Sequence, residues 1–328
     1  MARGWRRARP GDRLTLVHAT TLATNLVLER KGARVALVTT LGFRDLLTMR
    51  RESRYDDYDL ELAFPEPLVP RNLRFGMPER INVRGEVLLP LDEAAVIDVA
   101  ARLQREGVQS VAVGFLQSYV NPAHEQRVRE LLKQHAPSVW VTLSSDVCPE
   151  VREYERFSTT CANAYVQPVM AGYLQRLETR LQGLGLRCPV YLMTSGGALT
   201  TMEMGAREPV RLVESGPAGG AILSRTVAQQ CGVKRALSFD MGGTTAKACF
   251  IENGKPAFTG QFEAARVKRQ FRGSGMPLKV PSVEMIEIGA GGGSIARLDG
   301  TGLLKVGPDS AGATPGPVCY GHGGKAPT

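Results

Sequence analysis

The chain has 328 residues, of which 43% are hydrophobic and 22% are charged, and its formal net charge is +9. These values are ordinary for a globular protein of about two domains. Five arginines and one aspartate place four of the nine charges within residues 1–13. The other basic residues are scattered without interleaved aromatics, so we expect no nucleic-acid partner.

The chain has no apolar run that approaches the length of a membrane span, and Arg6-Arg7 lacks the apolar region of an export signal. The six cysteines show no C-x-x-C spacing, which favours reduced thiols over a disulfide framework or a metal site. We therefore expect a cytoplasmic protein with no membrane partner.

Residues 1–13 are predicted to be a disordered basic leader, and an alternation of strands and helices follows them. The predicted strands are 14–17, 33–40, 80–88, 110–116 and 139–143, and the predicted helices are 22–31, 42–50, 92–106 and 122–135. This alternation predicts an α/β fold with mixed sheets and flanking helices.

Further along, residues 144–149 are predicted as a loop, and 159–182 as a helix interrupted near Pro168. The charges at 152–156 are interpreted as a solvated helix start. Residues 189–194 are predicted as a strand. A helix is then predicted from Ser215 to Gln230, with Pro217 in its first turn and Gly232 beyond its end. After residue 252 the chain turns β-rich, with a strand at 283–288 and an ordered, irregular loop at 306–321.

Two apolar runs flank Asp240-Met-Gly242-Gly243-Thr244-Thr245, which predicts a β-hairpin with a glycine turn. Glycine backbone and threonine hydroxyls together offer donors to an anion. Asp240 at the strand end is suited to a hydrated divalent cation or a water beside that anion. Taken alone, the same pattern also fits a plain tight turn.

Two other stretches offer candidate site residues. The run Gly291-Gly292-Gly293 follows a predicted strand, but Ser294 breaks the dinucleotide-binding pattern and leaves a backbone anion cradle as the interpretation. His18 follows the first strand and is a candidate acid, base or ligand, with a packing role as the alternative.

Several motifs in order resemble the hydantoinase A and 5-oxoprolinase family, whose fold is that of actin-like ATPases. The stretches that carry the resemblance are 20–25, 29–33, 39–45, 78–80, 152–156, 163–165, 215–220, 240–245, 288–296 and 306–321. The resemblance implies an N-terminal-type domain at 14–156 and an ATPase domain at 157–328. Because the family also has an earlier Asp-x-Gly-Gly-Thr loop and a further C-terminal segment, we expect an internal piece of a longer enzyme.

The resemblance also implies roles for residues. Asp240 would hold Mg²⁺ or its water, and the phosphates of ATP would contact the turn and two further glycine runs. The implied phosphate-binding residues are Gly242, Gly243, Thr244, Thr245, Gly219, Gly220, Gly291, Gly292 and Gly293. The pair Gly219-Gly220 is further predicted to allow close packing against the hairpin.

Three functions remain open. The first is an ATP-dependent cyclic-amide hydrolase in which ATP phosphorylates the amide oxygen and water opens the ring. It would act with a hydantoinase B-type subunit in a hetero-oligomer. The second is an ATP-dependent ketone carboxylase subunit. The third is an inactive fragment that only binds a nucleotide or a partner.

Overall fold

The computed structural model describes residues 14–268, 271–312 and 314–328. The helices are α1, Leu22–Leu28; α2, Leu46–Met49; α3, Glu93–Arg105; α4, Ala123–His135; α5, Ser144–Val147; α6, Glu153–Gly183; α7, Met202–Arg207; and α8, Ser215–Gln230. The strands are β1, Leu16–His18; β2, Val35–Thr40; β3, Arg74–Met77; β4, Arg80–Ile81; β5, Val87–Leu89; β6, Ser110–Gly114; β7, Trp140–Leu143; β8, Val190–Met193; β9, Leu199–Thr201; β10, Arg235–Met241; β11, Ala246–Glu252; β12, Lys255–Pro256; β13, Phe258–Thr259; β14, Phe262–Ala264; β15, Met276–Leu278; β16, Ser282–Val283; β17, Ile286–Ile288; β18, Ser294–Leu298; and β19, Leu304–Ser310.

The chain divides into two compact units. The first contains the chain up to Ser215 together with Gly260–Pro281, and the second contains Gly216–Thr259 and Ser282–Thr328. Parallel and antiparallel strands both occur, and helices flank them, which confirms the predicted α/β class. The boundary predicted between residues 156 and 157 stays a prediction, and the leader predicted for 1–13 lies outside the described residues.

The main sheet of the first unit is parallel, with strand order β3-β2-β6-β7. Every residue of β2 is buried, as expected for a strand covered on both faces. Helix α6 lies against one face, where a Cβ added to Gly114 would lie only 2.6 Å from the ring of Phe157. The glycine therefore sets how closely α6 approaches the sheet. A smaller sheet, β1-β8-β9, belongs to the same unit.

Helix α6 differs from its prediction at both its start and its middle. It begins at Glu153 and runs without a break through Pro168. Glu155 and Arg156 are buried, so the interpretation of this charged segment as solvated is wrong for these two residues, whereas Arg152 is exposed. The guanidinium of Arg156 donates to the carbonyl of Phe115 at 2.8 Å and to that of Glu150 at 2.9 Å, which offsets part of the cost of burying its charge.

In the second unit β10, β11 and β12 form an antiparallel sheet, and β17 pairs with β11. Ala218 and Ala221 of α8 pack with Cys249 on one face of this sheet. On the opposite face Leu237, Phe239 and Phe250 are each more than half exposed. One face of the sheet is thus covered by a helix while the other presents apolar side chains to solvent.

Two predicted loops contain regular structure. Residues 144–149 include the short helix α5, and the loop predicted at 306–321 begins within β19, which pairs with β18. Both patterns are rich in residues that also favour turns, so they do not reveal the short elements. Among the described residues no helix has the length and apolar character needed to cross a membrane.

Candidate functional site

The candidate site is the turn that joins β10 to β11. The two strands pair over seven residues each, and the N–H of Gly242 donates to the carbonyl of Thr245 at 2.9 Å. This confirms the hairpin that the sequence predicts. Residues 242–245 therefore stand at the end of a continuous ladder that fixes where they begin and end.

Donor groups of this turn are unused within the protein. In the described part of the chain, the N–H groups of Gly243, Thr244 and Thr245 and both threonine hydroxyls donate no hydrogen bond to a protein acceptor. Gly243 and Thr244 are exposed. Consecutive backbone N–H groups with open space beside them are the features of an anion-binding nest.

The backbone conformation of the turn does not by itself require glycine, because neither Gly242 nor Gly243 has a φ in the left-handed region. A Cβ added to Gly243 would meet no atom within 4 Å. Glycine at this position therefore leaves free space outside the turn.

The glycine-rich loop 289–293 packs directly on the turn. The N–H of Gly292 donates to the carbonyl of Gly242 at 2.9 Å, and that of Gly293 donates to the carbonyl of Gly243 at 2.7 Å. The N–H of Gly291 donates to Oγ of Ser294 at 2.8 Å. These three donors, predicted to contact phosphate, are engaged inside the protein, and they support the turn.

Close contact explains why this loop needs glycine. A Cβ on Gly291 would lie 2.5 Å from the carbonyl oxygen of Gly242, and one on Gly293 would lie 2.9 Å from that of Gly243. Any side chain at residue 291 would therefore push the loop away from the turn.

Three charged residues lie in a row across the same face of the sheet. Asp240 of β10 is opposite Lys247 of β11, and Lys247 is opposite Glu287 of β17. Opposite charges on directly paired residues of one face attract each other. The exposed carboxylate of Asp240 thus has a positive neighbour, and Lys247 can approach an anion held at the turn.

A divalent cation can be accommodated here only in a limited way. Among the described residues no group of three or more His, Cys, Asp or Glu side chains could hold a metal ion. Mg²⁺ often keeps several waters and uses one carboxylate together with substrate phosphates. Asp240 fits that arrangement, since it is exposed and adjoins the free donors of the turn.

Helix α8 contributes Ala218 and Ala221 to the contact that the structure shows with Cys249 of β11. A Cβ on Gly220 would meet nothing within 4 Å, so close packing by this residue is not observed. At the start of the helix, Oγ of Ser215 donates to the carbonyl of Thr20 at 3.0 Å. This bond joins two motifs that are far apart in the sequence. A phosphate contact of Gly219 or Gly220 stays a prediction.

His18 lies at the end of β1 in the first unit and is buried. Its Nε2 is 2.8 Å from the hydroxyl of Tyr173. Burial lowers the pKa of His18 below its ordinary value of 6.5, so the neutral ring is favoured. The neutral ring has a proton acceptor, as a general base requires, but its observed partner is a packing neighbour.

A buried polar cluster that the sequence does not reveal lies beyond the ends of β2, β6 and β7. Nδ1 of His124 is 2.8 Å from Oε2 of Glu79, whose Oε1 accepts from the hydroxyl of Thr40. Glu125 accepts from the N–H of Phe115 at 2.9 Å and from Ser144 Oγ at 2.7 Å. These bonds hold the strand ends together. Thr40 and Glu79 lie in stretches that carry the family resemblance, but the sequence does not reveal that they meet His124, which is distant along the chain.

Comparisons with known proteins match nearly the whole chain. A family model described as hydantoinase/oxoprolinase matches residues 156–328, and one described as the hydantoinase/oxoprolinase N-terminal region matches residues 4–136. The caprolactamase subunit alpha of Pseudomonas jessenii is 37% identical, and the acetophenone carboxylase gamma subunit of Aromatoleum aromaticum is 34% identical. Each alignment covers 95% of this chain, and 44% and 43% of these relatives, respectively. The chain thus spans somewhat under half the length of these relatives.

Two solved structures of related proteins also match this chain. The crystal structure of the ATP-dependent caprolactamase from Pseudomonas jessenii matches with a TM-score of 0.77 at 37% identity. The nucleotide-free structure of an acetone carboxylase matches with a TM-score of 0.78 at 29% identity. Both comparisons cover 95% of this chain and 44% of the solved chain.

Proposed function

Because this chain belongs to the hydantoinase/oxoprolinase family, we propose that it supplies a phosphate-binding turn to an ATP-dependent enzyme that opens cyclic amides. The observation that carries the proposal is the set of unused donors at residues 243–245. They stand beside an exposed carboxylate, and one similar solved structure is described as an ATP-dependent caprolactamase.

The proposed reaction makes a poor electrophile reactive. The γ-phosphoryl group of ATP passes to the carbonyl oxygen of the cyclic amide, and water then attacks the carbonyl carbon. Phosphate leaves and the ring C–N bond breaks. Phosphoryl transfer depends mainly on positioning and on stabilising charge on the phosphate oxygens.

In this proposal the N–H groups of Gly243, Thr244 and Thr245 and the threonine hydroxyls bind phosphate oxygens. Lys247 adds positive charge beside them. Asp240 would hold hydrated Mg²⁺, which when bound would neutralise phosphate charge. The glycines at 291–293 orient the turn, because their donors are used by protein acceptors. His18 remains a candidate proton acceptor.

We further propose that the active protein is a hetero-oligomer with a hydantoinase B-type subunit. Relatives named as alpha and gamma subunits support an assembly of different chains. A small cyclic amide is the proposed substrate.

A ketone carboxylase is the second candidate, favoured by the acetophenone carboxylase relative and by the acetone carboxylase structure. In that reaction ATP would activate a ketone. The two candidates share the phosphate-binding turn and differ in the compound that stimulates ATP use. The third candidate is a chain that binds a nucleotide or a partner but catalyses no reaction.

Calorimetric titration of the chain with ATP and Mg²⁺ tests the shared step. Replacing Thr244 and Thr245 together by Val removes two hydroxyl donors and should weaken binding about tenfold. Thr179→Val, which changes an exposed threonine of α6, is the matched control and should leave affinity unchanged. Equal affinity of the double variant and the wild type would contradict the proposal.

Phosphate release then separates the candidate reactions. The chain, combined with its B-type subunit, is supplied with ATP and either hydantoin, caprolactam or 5-oxoproline, or a ketone with bicarbonate. Stimulation by a cyclic amide supports the hydrolase, and stimulation by a ketone with bicarbonate supports the carboxylase. Nucleotide binding without either stimulation supports the third candidate.

A further inference from the structure

A groove in the first unit runs along one strand edge. Its volume is about 480 Å³, and all seven residues from 137 to 143 line it. Successive side chains of a strand point to opposite faces of the sheet. A cavity that contacts every one of these residues therefore lies beside the backbone of β7, at the margin of the sheet.

The backbone of β7 is available along this margin. The strand is the last in the order β3-β2-β6-β7, and in the described residues no strand pairs with its outer side. The N–H of Trp140 donates inward to the carbonyl of Gln109 at 3.0 Å. Because backbone groups alternate in direction, the N–H and carbonyl of Val141 point outward into the groove.

Side chains of two helices, α6 and α4, line the groove beside the strand and form its walls. Oγ of Thr142 bonds Oε1 of Gln167 at 2.9 Å, which places α6 on the face to which Thr142 points. Arg129 and Lys133 of α4 line the groove as well. The outer edge of β7 therefore forms the base of the groove, between side chains of α6 and α4.

The groove carries an excess of positive charge. Arg129 and Arg207 share one carboxylate, that of Asp146. Lys133 makes no ion pair within the described part of the chain. The other acid of the lining, Glu208, is paired with Arg211 at 2.6 Å. An occupant with acidic side chains would complement these charges.

We propose that this groove binds an extended acidic segment of a partner polypeptide, which pairs with β7 as an added strand. An unpaired strand edge is a template for such pairing, and alternate side chains of the added strand would reach the two walls. A small anion would use the cations but not the outward backbone groups of Val141. Trp140, which lines the groove and is 43% exposed, provides an apolar contact. The proposal is independent of nucleotide binding.

The test uses the full chain and fluorescence of Trp140. The chain has two tryptophans, so Trp5→Phe leaves Trp140 as the reporter. The probe is a pool of peptides of about eight residues in which Glu alternates with Val or Thr. We expect micromolar binding with a blue shift of Trp140 emission, weakened by raised salt because charges contribute.

Two variants separate backbone pairing from charge. Val141→Pro removes the outward N–H and leaves the inward ladder bonds, and it should weaken binding at least about fivefold. Lys133→Glu should weaken binding of the acidic pool and favour a pool with Lys in place of Glu. A circular dichroism melt matching that of the parent confirms that each variant is folded.

Other outcomes overturn the proposal. Absence of binding at millimolar peptide would exclude the added strand. Equal binding of backbone N-methylated peptides, or full displacement of the peptides by tripolyphosphate with Val141→Pro unaffected, would identify an anion site instead.

Discussion

At the scale of single residues, Asp240 is distinguished from other carboxylates of the sheet by its position next to the free donors. Asp240→Asn keeps the size of the side chain but removes the charge that holds a hydrated cation. We expect ATP affinity in the presence of Mg²⁺ to fall about tenfold, because a charged hydrogen bond is lost. Titration at several Mg²⁺ concentrations should show part of the affinity restored at high Mg²⁺.

Glu287→Gln is the control for this change, since it removes the same charge from the other side of Lys247. It should not weaken Mg²⁺-dependent binding. With the metal chelated, both variants should bind ATP at least as well as the wild type, because Lys247 loses a competing carboxylate in each. A metal-independent loss in Asp240→Asn would exclude the metal role.

Two glycine substitutions distinguish a residue that supports the turn from a residue proposed to contact ATP. Gly291→Ala places a Cβ 2.5 Å from a carbonyl oxygen of the turn and should destabilise the protein by about 1–3 kcal/mol. Gly243→Ala adds a Cβ into empty space, so the melting temperature should hardly change while ATP binding weakens. Thermal melts and titrations of both variants test this, and a stable Gly291→Ala protein would contradict the supporting role.

His18 predicts a pH dependence of stability. Burial lowers its pKa below 6.5 in the folded state. As pH falls through 6.5, the unfolded state binds the proton first, so the free energy of unfolding decreases until the folded pKa is also passed. Denaturant melts should show a smaller decrease in His18→Gln. The exposed His135→Gln should keep the slope of the wild type, and equal slopes in all three proteins would exclude this assignment.

At the scale of elements, the contact of α6 with β6 depends on the absence of one side chain. Gly114→Ala would place a Cβ 2.6 Å from the ring of Phe157 and should cost about 1–3 kcal/mol of stability. Phe157→Leu should be destabilising alone, yet the double variant should be more stable than the two single costs predict. Urea melts of the four proteins give the coupling, and simple additivity would contradict this contact.

Elements with local signals could be predicted from the sequence. The bounds of α8 match the prediction because Pro217 and Gly232 mark its ends, and the hairpin follows from Asp240 and its glycines between two apolar runs. The sequence does not reveal that Arg156 is buried, because one of its acceptors, Phe115, is distant along the chain. The support of Gly242 by Gly292 is likewise a long-range contact.

At the scale of the whole molecule, the exposed apolar face of the hairpin sheet predicts association. Leu237, Phe239 and Phe250 are 55%, 54% and 60% exposed, and strand pairing places them on one face. Contiguous apolar surface of this kind promotes contact with other molecules. We expect the chain to bind the dye ANS and to sediment as larger species at higher concentration.

Phe239→Lys should reduce both signals, because it places a charge at the centre of this face. Tyr58→Lys, at a 95% exposed aromatic of the first unit, is the control and should leave them unchanged. Dye binding that is the same in wild type and Phe239→Lys would show that the exposed sheet face is not responsible.

The two hydrogen bonds from the glycine-rich loop to the turn also determine the direction in which the free N–H groups of the turn point. A peptide group is planar, so the carbonyl of Gly242 and the N–H of Gly243 move together as one rigid group and point in opposite directions. The carbonyl of Gly243 and the N–H of Thr244 belong to the next peptide group. Gly292 and Gly293 each donate a hydrogen bond to the carbonyl of one of these peptide groups and so fix the direction of the free N–H at its other side. The same hydrogen bonds polarise the free N–H groups. The loop is itself held by the N–H of Ala311, which donates to the carbonyl of Gly293 at 2.8 Å. A displacement at residue 311 would therefore tilt both donors. If the turn binds phosphate as proposed, residue 311 would change the affinity without contacting the anion.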